Sequence, residues 1–353
     1  MRMKGCLIVL TLALVGSAAS AHHGAVTNPS LYLTDQMVEL EGTITEVFWR
    51  NPHVRMRLGV PNNAGAETIW ELELGPNPPL FRRLGISPEF ASPGTEVRVA
   101  GYVSRRNPQS LGVLHLLSNG QEFVDGYRET RWQGERISIA YRPPTTEDAA
   151  PGDVEMARTQ ARSIFRVWGG NVDGTPAHPP REQYTRLLTQ RGRELADAYD
   201  PVTDNPELEC RQGMPTTMFD PVPMQIIDDG DVILIRVQEY DVQRVIHLGT
   251  GQDASGQERS PLGYSVGQWQ DDVLVVTTTE IDWPYFDPYG TPQSDQMRYT
   301  ERFGASDDGT VLEYSLTAED PVMFNEVFTI GRRREWTPGV EVEQYDCVAE
   351  WEN

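Results

Sequence analysis

The chain has 353 residues and a formal net charge of −22 at pH 7, and 39% of its residues are hydrophobic. That hydrophobic content is sufficient for a folded core and excludes a wholly disordered chain, while the length predicts about two domains. The acidic balance argues against a general nucleic-acid or anionic-membrane binder. Lys4 is the only lysine, so chemistry that needs a lysine, such as Schiff-base formation, is excluded from the rest of the chain.

Residues 1–21 have the pattern of a secretory signal peptide. A charged start precedes a short apolar run at 7–15, and residues 19–21 read Ala-Ser-Ala, an A-x-A cleavage site. The apolar run is shorter than the roughly 20 residues that a membrane-spanning helix needs, and no later stretch reaches that length. We therefore predict a mature protein that starts at His22, does not span a membrane, and is periplasmic or secreted.

The first predicted domain covers residues 22–131, in which apolar and polar residues alternate. Val54, Met56 and Leu58, for example, alternate with charged or small residues, which is the period of a strand with one buried face. The predicted strands cover residues 37–49, 54–60, 70–74, 97–103 and 111–117. A short helix is predicted between the third and fourth strands, and this order of elements favours a five-stranded OB-like barrel.

A linker is predicted at residues 132–153, which end in a stretch rich in proline and acidic residues. Two helices are predicted after it. In the first, apolar residues from Val154 to Trp168 recur at helical spacing along one face. The second helix begins after Pro180 and ends before Pro201.

The remaining sequence predicts a second β structure, so that two helices and a barrel make up a domain at residues 154–353. The predicted strands cover residues 224–228, 231–240, 242–248, 263–269, 273–281, 297–303, 311–318 and 326–336. Short strands separated by tight turns predict an antiparallel barrel of the calycin or lipocalin type, or a curved sheet. The fold class is therefore mainly β.

Charge is divided unevenly between the two halves. Residues 22–131 contain 10 arginines and 12 acidic residues, whereas residues 132–353 contain 18 arginines and 40 acidic residues. The first half is thus nearly neutral, and it also holds four of the six histidines. The balance in this half, together with export, argues against nucleic-acid binding by the OB-like barrel.

Two cysteines, Cys210 and Cys347, follow the predicted signal peptide. In an oxidising compartment we expect them to form one disulfide. A thiolate metal site or a catalytic thiol is the alternative, although neither cysteine lies in a C-x-x-C motif.

Histidines at the predicted mature N-terminus suggest a metal site. An N-terminal His22 would offer its α-amino group and its imidazole to one metal ion, and His23 and His53 are further imidazole ligands. Such nitrogen ligands suit copper above other first-row divalent ions, with zinc as the alternative. The competing interpretation is a solvated N-terminus with ordinary surface histidines.

Three stretches of the first domain resemble an exported bacterial family of unknown function. They are His-His-Gly at 22–24, the stretch Val-Glu-Leu-Glu-Gly-Thr-Ile at 38–44, and Asn-Pro-His-Val at 51–54. The resemblance implies export and an OB-like barrel, and it implies no catalytic activity. Residues 210–215 and 263–278 are similar to other uncharacterised exported bacterial proteins, which often have histidine at the position of Tyr264.

Aromatic and charged residues of the second domain form the main candidate site. A barrel lumen lined by such side chains could hold a small, partly apolar ligand. The predicted ligand-binding residues are Arg236, Arg244, Tyr264, Trp283, Tyr285 and Tyr299. The alternative is a cofactor-independent isomerase, cyclase or lyase in which His247, Tyr240 and Asp282 supply acid–base catalysis.

Residues 263–267 also match G-x-S-x-G, the motif of a hydrolase nucleophile elbow. A strand and a hairpin turn are predicted after Ser265, where an elbow needs a helix, and no histidine follows His247. The sequence therefore favours a ligand-binding protein over a serine hydrolase. The acid–base enzyme and a protein-interaction module are the remaining alternatives.

Overall fold

The computed structural model describes residue 26 and residues 28–62, 65–126, 128–139, 144–172, 180–249, 254 and 256–349. Across these residues the protein is mainly β, which confirms the predicted fold class. A sheet that contains a small barrel comes first along the chain, and a larger closed barrel follows it. No helix in the described ranges is long and apolar enough to cross a membrane.

Five strands form the N-terminal barrel. They are β1 (Tyr32–Phe48), β2 (Arg55–Pro61), β3 (Glu67–Leu74), β4 (Glu96–Ser104) and β5 (Ser110–Ser118). β1 pairs antiparallel with β2 and β4, β2 pairs with β3, and β4 pairs with β5. A parallel pairing of β3 with β5 closes the ring, which gives the expected OB-like topology. Met56 and Leu58 face its core and are buried.

Helix α1 (Pro78–Arg83) connects β3 to β4. Two prolines occupy its first turn, where their missing N–H groups cost nothing. The side chain of Asn77 accepts a hydrogen bond from the backbone N–H of Leu80 at 3.0 Å and caps the helix. Leu80 and Phe81 are buried against the barrel core.

β4 and β5 approach each other closely where the small barrel closes. A Cβ atom at Gly101 would lie 1.9 Å from the carbonyl oxygen of Gly112. The register of the two strands also shifts between Ala100 and Gly101. Glycine is therefore required at this bulge.

Two further strands extend the N-terminal sheet beyond the five that were predicted. β6 (Gln121–Asp125) pairs antiparallel with β5, and β7 (Glu135–Ile139) pairs parallel with β6. Residues 135–139 lie inside the predicted linker at 132–153, so part of that linker is strand in the structure.

The first helix after the linker is shorter than predicted. α2 (Pro151–Gln160) has no buried residue and ends before the apolar residues at 164, 165 and 168. Residues 164 and 165 precede strand β8 (Val167–Asn171), and Trp168 lies within that strand and is fully buried. The helical spacing up to Trp168 was therefore misleading, because pairing with two barrel strands decides the conformation there. α3 (Glu182–Thr185) and α4 (Gln190–Ala198) occupy the region predicted as the second helix.

In the described part of the chain, nine strands form a closed C-terminal barrel. Besides β8 they are β9 (Met224–Asp228), β10 (Val232–Val237), β11 (Val242–Leu248), β12 (Tyr264–Gln270), β13 (Val273–Thr279), β14 (Arg298–Ala305), β15 (Val311–Glu319) and β16 (Phe328–Trp336). Neighbours pair antiparallel except β11 and β12, which are parallel. Each predicted strand from residue 224 onward has a counterpart, and β8 closes the ring.

A segment at residues 343–349, here called the C-terminal strap, joins the second half of the chain to the OB-like barrel. The backbone N–H of Val348 donates to the carbonyl oxygen of Asn51 at 3.0 Å. A guanidinium nitrogen of Arg55 donates to the carbonyl oxygen of Val348 at 2.8 Å. The strap therefore contacts both the loop at 49–54 and strand β2.

Cys210 and Cys347 form a disulfide, with Cα atoms 6.0 Å apart. This confirms the predicted pairing. Cys347 lies in the strap, and Cys210 follows a single helical turn at Pro206–Glu209. The bond therefore anchors the strap covalently to the segment that precedes the barrel strands β9 to β16.

Candidate functional site

A cavity of about 360 Å³ lies between the OB-like barrel and the second half of the chain. Strands β2 and β3 and the loops at 49–54 and 105–109 contribute to one wall, and residues 207–210 and the strap contribute to the other. Charged and phenolic side chains line it: Tyr32, His53, Arg55, Glu71, Glu73, Arg106 and Glu207. OB folds usually bind ligands on the face of their second and third strands, beside these same two loops.

Glu73 lies beside Tyr32 and His53 on the OB side of the cavity. It accepts a hydrogen bond from the hydroxyl of Tyr32 at 3.0 Å. His53 places Nδ1 2.6 Å from the carbonyl oxygen of Gly75, so Nδ1 carries the proton because a carbonyl only accepts. Nε2 of the same ring lies 3.9 Å from Glu73 Oε1. Burial and the Glu73 carboxylate raise the pKa of Tyr32 well above its ordinary value, so its hydroxyl stays neutral.

Both signs of charge are represented on this wall. Glu71 accepts a hydrogen bond from the side-chain amide of Asn107 at 3.1 Å, and Arg106 is exposed at the cavity mouth. Burial lowers the pKa of Arg55 from its usual value. The arginine guanidinium nevertheless stays charged at neutral pH, because its ordinary pKa is so high. Leu31 and Leu72 add apolar surface between these groups.

Glu207 contributes a buried carboxyl to the opposite wall. It is 4% exposed, and its Oε1 accepts a hydrogen bond from the side-chain amide of Gln212 at 3.3 Å. Burial, helped by the nearby carboxylate of Asp220, raises the pKa of Glu207 to about 8. Glu207 is therefore mostly protonated at pH 7, and a perturbed group in a cavity is a recognised mark of a functional site.

Of the three predicted metal ligands, the structure places His53 in this cavity. His22 and His23 lie outside the described residues, as does the predicted signal peptide. Among the residues that are described, no group of three or more His, Cys, Asp or Glu side chains is arranged to hold a metal ion. His53 and Glu73 together offer two donor groups.

The predicted ligand residue Arg244 lies inside the C-terminal barrel in a buried ion pair with Glu301. Arg244 is 1% and Glu301 0% exposed. One guanidinium nitrogen donates to Glu301 Oε1 at 2.8 Å, and a second donates to Oε2. Ser265 and Thr278 accept hydrogen bonds from Arg244 at 3.0 and 2.7 Å. Tyr314 donates to Glu301 at 2.9 Å. Protein groups therefore occupy this part of the barrel interior.

Ser265 of the G-x-S-x-G match belongs to strand β12 and is buried in that ion-pair network. Tyr299 is also fully buried, and its hydroxyl donates to the side-chain oxygen of Gln293. Both residues thus serve packing and hydrogen bonding inside the barrel. The strand predicted around Ser265 is present, as the sequence favoured.

The other predicted ligand residues are dispersed. Arg236 lies on the half-exposed face of β10, whereas its neighbours Ile235 and Val237 belong to the barrel core. Trp283 is buried in that core. Tyr285 packs edge-on against another tyrosine ring, with centroids 5.0 Å apart.

The structure does not bring His247 and Tyr240 together. Tyr240 lies in the turn before β11 and packs against Tyr345, whereas His247 is five residues into the strand, roughly 16 Å further on. His247 stacks on Tyr264 with ring centroids 4.6 Å apart. Asp282 is exposed beyond the end of β13.

Sequence reasoning missed most of the cavity lining. Glu71 and Glu73 occupy alternate positions of β3, and Arg55 of β2 lies opposite Glu73. The polar positions of these two predicted strands therefore already indicated a charged surface. Glu207 gave no comparable signal, because its burial depends on residues far away in the chain.

Comparison with known proteins gives a family match for the N-terminal third of the chain. No curated protein and no solved structure matches the sequence. Residues 10–113, which include β1, β2 and β3, match a family of unknown function, DUF6152.

Proposed function

We propose that this protein is an exported binding protein that holds a small ligand in the cavity between its two halves. The observation that supports the proposal is the mixed lining of the cavity, which combines leucines with both arginine and glutamate side chains on the ligand-binding face of an OB-like barrel. A ligand of this site would carry apolar surface and at least one charged group.

The barrel lumen is a weaker place for the ligand than the cavity. The interior around Arg244 and Tyr299 is filled by protein side chains with hydrogen-bond partners of their own. A ligand there would have to displace a buried ion pair, and breaking such a pair by removing one partner costs about 3–5 kcal/mol. The cavity on the OB face requires no such displacement.

Binding can be tested with a pair of neighbouring arginines. Arg106 lines the cavity, whereas Arg105 points its guanidinium to the carbonyl oxygen of Pro29 at 2.8 Å. Small carboxylates, amines and zwitterions would be screened by thermal shift and calorimetry. We expect Arg106→Ala to weaken binding of any hit by roughly 10- to 100-fold, the value of a charged hydrogen bond, and Arg105→Ala to leave it unchanged. Equal effects of the two substitutions would contradict the assignment.

The same screen separates a binding protein from an acid–base enzyme. Each hit would be incubated with the protein and followed by mass spectrometry. An unchanged compound supports the binding protein. Conversion that is lost in His247→Ala would instead support the isomerase, cyclase or lyase alternative.

We also propose copper binding at the mature N-terminus. The supporting observation is that His53 faces the cavity beside Glu73, with its Nδ1 hydrogen-bonded to a carbonyl, an arrangement that fixes the tautomer of a metal-ligating imidazole. His22 and His23 would supply the other nitrogens. Copper titration of the mature protein tests this, and an affinity unaltered in both His22→Ala and His53→Ala would end the idea.

Export itself is a proposal that rests on residues 1–21. We expect a periplasmic or secreted protein whose intact mass is that of a chain starting at His22. Mass spectrometry of the protein expressed with its full N-terminus would check this, and retention of Ala21 would remove the amino-terminal copper chelate.

A further inference from the structure

Three carboxyl groups are buried together next to the C-terminal strap. Glu207, Asp220 and Glu239 are 4%, 3% and 7% exposed, respectively. Glu239 forms a side-chain hydrogen bond with Asp220, and it also accepts one from the hydroxyl of Tyr345, which lies in the strap. The cluster therefore touches the strap directly through one of its members.

Two carboxyl groups can share a hydrogen bond only while one of them holds a proton. Burial is the main cause that raises the pKa of Asp220 to about 7 and that of Glu239 well above its ordinary value. Glu207 adds a third carboxyl with a raised pKa. At neutral pH the cluster thus retains protons that the same groups would lose in water.

The groups that surround the cluster do not neutralise it fully. Arg334 of β16 favours the ionised form of Asp220, but its guanidinium also donates to the carbonyl oxygens of Gly169 and Met218, both at 3.1 Å. The titratable and charged groups that act on the cluster from neighbouring elements are Tyr199, Tyr240, Asp287, Tyr289, Arg334 and Tyr345.

The turn at Glu239–Asp241 connects the cluster to the strap, since it contains Glu239 and also contacts the strap backbone. Asp241 accepts hydrogen bonds from the backbone N–H groups of Tyr345 and Asp346, at 2.8 and 3.1 Å. The carbonyl oxygen of Tyr345 in turn accepts a hydrogen bond from the side chain of Asn51 in the OB-like barrel. One short turn therefore carries a member of the cluster and the group that holds the strap in place.

We propose that this carboxyl cluster is a proton-controlled latch that holds the C-terminal strap, and through it the OB-like barrel, against the second half of the chain. With its protons in place, Glu239 bridges Asp220 and Tyr345 and the strap is seated. When the protons are lost at alkaline pH, neighbouring carboxylates repel, the Glu239–Asp241 turn shifts, and the strap loosens while the Cys210–Cys347 disulfide keeps it tethered. Glu207 also lines the cavity, but Glu239 and Asp241, which contact the strap, do not, so the latch can be tested on the protein without a ligand.

Hydrogen–deuterium exchange of the full-length protein tests the latch. The readout is the protection of the amides of Tyr345, Asp346 and Val348, corrected for the intrinsic pH dependence of exchange, between pH 6 and pH 9. In the wild-type protein we expect protection to fall at least about 10-fold, since each pH unit above a linked pKa changes the equilibrium tenfold. In Glu239→Gln the side chain at 239 no longer titrates, although Asp220 and Glu207 still do, so protection should fall clearly less than in the wild-type protein.

Glu209→Gln is the matched control, because Glu209 lies in the same turn as Glu207 but is exposed. It should behave like the wild-type protein. Where circular dichroism shows that Glu239→Gln has not folded, Asp220→Asn takes its place. Wild-type protection that is equal at pH 6 and pH 9 would overturn the proposal, and so would an equal loss in the wild-type protein and the folded variant.

Discussion

Removing the carboxylate from the buried Arg244–Glu301 pair should be among the most damaging single changes in the chain. Burial by itself lowers the pKa of the Arg244 guanidinium, but the Glu301 carboxylate outweighs that effect and holds the pKa above its ordinary value. Glu301→Gln removes the carboxylate that offsets the cost of burying the Arg244 guanidinium. An uncompensated positive charge then remains inside the barrel. We expect the free energy of unfolding to fall by about 3–5 kcal/mol.

A pair of the same chemistry on the barrel surface provides the control. Nε of Arg333 lies 3.0 Å from Oε1 of Glu313, and both side chains are about half exposed. Glu313→Gln should cost no more than about 1 kcal/mol, because water screens the pair and solvates whichever charge remains.

Urea unfolding at pH 7 measures both variants. A further variant that replaces both members of the buried pair, Arg244→Met with Glu301→Leu, should lose less than Glu301→Gln, because no charge is left without a partner. The reasoning would be refuted if Glu301→Gln cost no more than Glu313→Gln, or if the double substitution were the more damaging of the two.

Three further expectations concern stability. Cys347→Ser should lower the free energy of unfolding by up to about 5 kcal/mol, the loop-entropy value for a crosslink of this length, and reductant should reproduce the loss in thermal melts of the wild-type protein. Gly101→Ala should cost about 1–3 kcal/mol in urea unfolding, since its methyl group would meet the Gly112 carbonyl; a neutral result would contradict the required glycine. Because burial raises the folded pKa of Glu207 to about 8, the wild-type protein should lose stability as pH rises from about 4.5 to about 8. The stability of Glu207→Gln relative to the wild-type protein should therefore rise by up to about 4 kcal/mol between pH 5 and pH 9, whereas that of Glu209→Gln should not.

Alternation of apolar and polar residues predicted the five strands of the OB-like barrel and, with the turn signals, eight of the nine described strands of the C-terminal barrel, because one buried face per strand imposes a period of two. The helix predicted up to Trp168 failed for a related reason. Its apolar spacing is compatible with a helix, yet Trp168 is held in β8 by pairing with β9 and β16, and such long-range pairing leaves no mark on a local pattern.

The candidate site was harder to predict than the fold. Its walls come from segments more than 100 residues apart, such as β3 and the turn at Pro206–Glu209, and no local pattern states which distant segments meet. The same limit applies inside the barrel. Arg244 was predicted to face a ligand, and the structure pairs it with Glu301, which lies 57 residues later in the chain.

The disulfide has a mechanical consequence. Cys210 and Cys347 are 137 residues apart in sequence, and the intervening chain contains strands β9 to β16. Tension applied to the two ends of the protein would pass through the sulfur atoms and bypass that entire loop. β8, which precedes Cys210, lies on the loaded path, so a pulling force would strip this strand from β9 and β16, while the disulfide prevents the backbone of the eight strands inside the loop from being extended.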